Sequence, residues 1–86
     1  MDNNTIKQLM IDSYNTFFLK WRNNIPHPDS EQWDDVVTEV SAIIKKYDNR
    51  DATILILWFL EQLENRCKEQ YGKVGRSGSM DVRDKR

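Results

Sequence analysis

Large apolar residues recur along this chain at helical spacing in three separate stretches. The first runs from about residue 5 to residue 23. At ~100° per residue, Ile6, Met10, Tyr14, Phe17 and Trp21 fall within about 80° of one another. Ile11 and Phe18 widen that stripe, while Leu9 and Leu19 lie off it. An amphipathic helix capped by Asn4 or Thr5 is therefore expected, its aromatic residues turned toward a core.

A loop follows at Asn23-Asn24-Ile25-Pro26-His27-Pro28. Each proline pushes the residue before it away from helical geometry, so Ile25 and His27 should be extended. A second helix is predicted over 30–47, opened by Asp29 or Ser30. Gln32 stands three residues after Asp29, in capping-box spacing. Trp33, Val36, Val37, Val40, Ile43, Ile44 and Tyr47 span about 120° of its wheel. Three valines and two isoleucines lower intrinsic helix propensity. A period near 3.6 nevertheless fits all seven positions and strict alternation does not, which favours helix over strand.

Asp48-Asn49-Arg50 are a short link, so the second and third helices should be antiparallel neighbours. The third helix is predicted over 51–71, stopped by Gly72, with Glu64 and Lys68 four apart in the favourable order. Ala52, Ile56, Phe59, Leu60, Leu63, Cys67 and Tyr71 make one stripe along its full length. Its first half, Ile54 to Leu60, is apolar on every side. The expected fold is all-α: a small three-helix bundle with helices at about 5–23, 30–47 and 51–71. In such a bundle each helix keeps one side in water. Ile54 and Trp58 then stand on the outer side of the third helix, with Leu55 and Leu57 at its flanks. These four residues are the candidate protein interface. Aromatic residues bury much area and lose few rotamers there, and symmetric self-association is the commonest use of such a patch. Homodimerisation is the expected outcome, ahead of a single different protein partner or of coverage by the first helix within one chain.

Composition supports this reading. With 86 residues, 38% hydrophobic and 31% charged, the chain suits one small helical domain, residues 1–71. After Gly72 the periodicity ends. Residues 72–86 read as a flexible basic tail, and Gly75-Arg76-Ser77-Gly78-Ser79-Met80 has the composition of an expression junction as well as of a linker. The net charge of −1 divides unevenly: residues 1–71 hold eight Lys/Arg against twelve Asp/Glu, residues 72–86 five against two. An acidic body with a basic tail is not the basic face of a dedicated nucleic-acid binder. A nucleic-acid-associated regulator using Lys45, Lys46, Arg50, Arg76 and Arg83 is the alternative. In that reading Lys45 and Lys46 must act beyond offsetting the helix dipole.

The residues give little to catalysis. A single cysteine, Cys67, excludes an internal disulfide and leaves no Cys pair for zinc. It lies on the core stripe, where a thiol is inert unless a cation lowers its pKa. The single histidine, His27, sits between two prolines on a loop. Glu61 and Glu64 have a spacing that a metal could use, but no Glu-x-x-His accompanies them, and every glycine lies at or beyond Gly72, so there is no phosphate loop. The expectation is a non-catalytic protein without cofactor or metal. The polar start Met1-Asp2-Asn3-Asn4 lacks a signal-peptide core, and the apolar run is far short of the ~20 residues that span a membrane. A cytoplasmic setting is expected.

Overall fold

The first helix is continuous but not uniform. In the computed structural model, which describes residues 1–72, α1 comprises an α-helical segment Asn3–Met10, a π-helical segment Ile11–Phe18 and a final α-turn Leu19–Arg22. Asp2, not Asn4 or Thr5, caps it, its carboxylate accepting the Thr5 amide at 2.8 Å. In the π segment the ladder runs five residues back, as where the Leu19 amide donates to the Tyr14 carbonyl. A longer reach means more residues per turn, about 4.4 instead of 3.6.

That change of pitch overturns the expected stripe. On an α-helix, residues four apart drift about 40° per step; on a π-helix they step back by about 30°. Mixing the two keeps residues four apart in line. Leu9, Ser13, Phe17 and Trp21, spaced by four, are the residues buried along α1 together with Phe18. Ile6, Met10, Ile11 and Tyr14, placed on the core side by a pure α-helical wheel, face out. Ser13 pays for the register: it is fully enclosed, yet no hydrogen-bond partner reaches its hydroxyl.

The loop after Arg22 is held by its neighbours. Pro26 and Pro28 are buried. The Cys67 thiol lies 3.7 Å from the Pro26 carbonyl, and the Trp33 indole N–H donates to the His27 carbonyl at 3.1 Å. The next helix, α2, covers Gln32–Tyr47. Its N-cap position is Glu31, which makes no side-chain cap bond; the Ser30 hydroxyl, one residue earlier, accepts the Gln32 amide at 3.0 Å. Trp33, Val36 and Val40 are buried and Ile43, Ile44 and Tyr47 half-buried, as the wheel predicts; Val37, at its edge, is exposed. Asp48 ends α2 in the left-handed region at φ 43°. Asn49 then caps α3, Arg50–Tyr71, its side-chain oxygen accepting from Asp51 at 2.8 Å and Ala52 at 3.3 Å. Gly72 closes α3 at φ 83°, a conformation that asks for glycine.

The three helices are an all-α bundle, with no strand among the described residues. One core joins Phe17, Phe18, Trp33, Val36, Ile56 and Leu63 to their neighbours. The expected α3 stripe is buried from Ala52 to Cys67, but Tyr71 is exposed, its ring 4.8 Å from His27. Tyr14 lies against Phe59, the Pro26 loop against Cys67 and His27 against Tyr71, so α1 and α3 run in the same direction with α2 antiparallel to both. The tail expected from residue 72 onward, with Arg76 and Arg83, lies outside the described residues apart from Gly72.

Candidate interaction surface

The side of α1 next to α2 is closed by charge pairs. Asp12 accepts from Lys46 at 2.7 Å, from the Tyr47 hydroxyl at 2.6 Å and from the Gln8 amide at 3.0 Å. Burial pushes the Asp12 carboxyl up. The bonds from Lys46, Tyr47 and Gln8 and the Lys46 charge outweigh that and hold it below the usual carboxylate range. Burial first, and then the bond to Asp12 and its charge, push Tyr47 up to about 12. One turn pair further along, Glu39 takes Lys20 at 2.5 Å and the Trp21 indole at 3.1 Å. Two open clefts of about 410 and 310 Å³ flank these pairs. Their cations and carboxylates are largely spent on one another.

Cys67 is buried and His27 is exposed on its loop. Burial pushes the Cys67 thiol up, and the nearby Glu64 charge pushes it further, away from the reactive thiolate. His27 uses Nδ1 to accept the Asp29 amide at 3.2 Å, within its own loop. Glu64, assigned from the sequence to a surface pair with Lys68, is buried. Among the described residues no group of His, Cys, Asp and Glu is placed to hold a metal ion, and no helix is long and apolar enough to cross a membrane.

The other side of the bundle is different. On the outside of α3, Ile54, Leu57 and Trp58 are 56%, 45% and 52% exposed. Leu55 is half-buried and packs on the core, so of the four candidate interface residues it belongs to the bundle's own packing. Trp58 meets Phe59 edge-on with ring centroids 5.3 Å apart, and Tyr14 of α1 meets the same Phe59 at 6.0 Å. The exposed residues of α3 and α1 thus meet a common buried ring, Phe59, from their two helices. On α1, Ile6, Met10 and Tyr14 are 43%, 44% and 40% exposed. The wheel of α3 found Ile54, Leu57 and Trp58. It could not find the α1 side, because the only sign of the π segment is the four-residue spacing of Leu9, Ser13, Phe17 and Trp21.

Of the basic residues of the alternative reading, Lys45, Lys46 and Arg50 are among the described residues. Lys46 is engaged by Asp12, and Arg50 stands between Asp48 and Asp51 in the chain. Comparison of the chain with protein-family models, curated proteins and solved structures returns no match, so its surface is the evidence for function.

Proposed function

We propose that this chain is a non-catalytic protein-interaction module that self-associates through the first half of α3. One observation supports it above the others: an indole half in water at Trp58, flanked by Ile54 and Leu57 on the same outer face. About 120 Å² of Trp58 remains exposed at that fraction. At ~25 cal/mol per Å², covering it is worth about 3 kcal/mol per copy. A second copy offers an identical indole, and a two-fold interface uses the same patch twice. A cytoplasmic setting, where Cys67 stays reduced, belongs to the same proposal.

Light scattering coupled to size exclusion, run at two concentrations, is the test. Twice the chain mass of 10.3 kDa is expected at the higher concentration. Trp58→Glu should yield a folded monomer, with helical content by circular dichroism unchanged. A wild-type chain that stays monomeric throughout would sink the proposal. So would a Trp58→Glu protein that remains dimeric.

A further inference from the structure

Resting on that reading of self-association, we infer that the dimer face is a composite of α3 and α1, covering Ile6, Met10 and Tyr14 as well as Ile54, Leu57 and Trp58, and that its occupant is a second copy of this chain. The argument is one of area. Large side chains have full areas of roughly 150–250 Å². The exposed fractions of Ile54, Leu57 and Trp58 then amount to about 300 Å² of apolar surface. A stable interface of standard size covers ~800 Å² per partner, and in homodimers ~65% of it is apolar, or roughly 520 Å². The α3 face alone falls well short. Adding Ile6, Met10 and Tyr14 brings the total to roughly 550 Å², which matches.

Geometry sets the two parts side by side. Tyr14 and Trp58 flank the Phe59 ring from the two helices. Ile6 and Met10 continue from Tyr14 at four-residue spacing, in the direction in which Ile54 continues from Trp58. The π segment is what turns this row outward, by bringing Leu9 and Ser13 inward in its place.

Charge points to a second copy. On the helical wheels the surface is bordered by Lys7, Arg50 and Arg66 and by Asp51 and Glu61, a near balance of the two signs. Two such faces brought together meet little net repulsion, whereas a strongly charged partner would find no complementary field. Two helices from each copy then enclose a shared apolar layer, the arrangement of a four-helix bundle.

Sedimentation equilibrium of the full chain and four variants decides the matter. Met10→Lys and Ile6→Lys test the α1 half and Trp58→Glu the α3 half. Val37→Lys, at an exposed apolar position on α2, is the control. Ile6 lies in the first turns of α1, so its variant reports even if Met10→Lys fails to fold. The expected result is a dimer whose dissociation constant rises at least tenfold in Ile6→Lys, Met10→Lys and Trp58→Glu and stays within threefold in Val37→Lys. If Trp58→Glu weakens the dimer while Ile6→Lys and Met10→Lys leave it intact, the composite face is wrong and association through α3 stands. A dimer indifferent to all three changes, or a chain monomeric throughout, overturns both.

Discussion

Ser13→Ala should make this protein more stable, although it removes atoms from the interior. Ser13 is fully enclosed and its hydroxyl has no hydrogen-bond partner. A desolvated, unpaired hydroxyl costs about 1–3 kcal/mol. Alanine removes that cost and adds about 0.5 kcal/mol of helix propensity. Against this stands the void left by one oxygen, about 15 Å³, which at ~24 cal/mol per Å³ costs about 0.4 kcal/mol. The balance is a gain of about 1–3 kcal/mol. For a domain of this size that raises Tm by roughly 4–24 °C. Thermal unfolding followed by circular dichroism measures it, at a single protein concentration because association also moves Tm. A fall in Tm would mean that the hydroxyl holds a bond the folded chain needs. A change no larger than the few tenths from propensity would put Ser13 in water. In that case α1 is a plain α-helix, and the outward turn of Ile6, Met10 and Tyr14 goes with it.

Other consequences follow from the same coordinates. Tyr47 is held neutral by burial and by Asp12, with its pKa at about 12. Its folded value lies above the unfolded value near 10, so its contribution to stability is complete below pH ~10 and is lost as pH rises through about 12. Tyrosinate absorbance should show one late-titrating group, absent in Tyr47→Phe, and denaturant midpoints of that variant should vary less with pH in this window. Asp12 is the reverse case. Its folded pKa is depressed, so its contribution is present above the unfolded value near 3.9 and disappears as pH falls through the folded one; Asp12→Asn should flatten the acid limb of the stability curve. Asp48→Gly should stabilise the protein by about 1 kcal/mol, because φ 43° strains any residue with a Cβ. An unchanged urea midpoint would count against that backbone geometry. Finally, a thiol reagent should label Cys67 on native protein at least ~100-fold more slowly than on unfolded protein; equal rates would contradict its enclosure.

Much of the fold could be read from the chain because most of it obeys one period. In α2, Trp33, Val36 and Val40 are buried where a 3.6-residue repeat puts them. In α3 the stripe from Ala52 to Cys67 holds for the same reason and Gly72 marks a real end, while the link read as Asp48-Asn49-Arg50 is one residue shorter because Arg50 already belongs to α3. The reading failed where the period itself changes. A wheel drawn at a fixed angle cannot represent a π segment, so it placed Met10 and Tyr14 inside and Leu9 outside. Ser13, a polar residue, gave no apolar signal that could correct it. Contacts distant in sequence were also hidden: nothing local in Asp12, Lys46 and Tyr47 says that they meet. Of the candidate surface, the α3 half was legible because Ile54 and Trp58 exceed what an amphipathic helix needs. The α1 half became visible only with the coordinates.

The parallel run of α1 and α3 has a consequence for the poles of the molecule. The chain begins at the end of the bundle where α3 starts, near Asp12 and Tyr47, and α3 delivers Gly72 to the opposite end, beside the loop of Pro26 and His27. At 1.5 Å per residue, Gly72 stands about 27 Å along the axis from Ile54. The two ends of the described fold are therefore not equivalent: Gly72 closes α3 at the pole remote from Ile54, whereas Met1 lies at the pole of the Ile6 row. A group grafted at Met1 departs beside the apolar face and should weaken association.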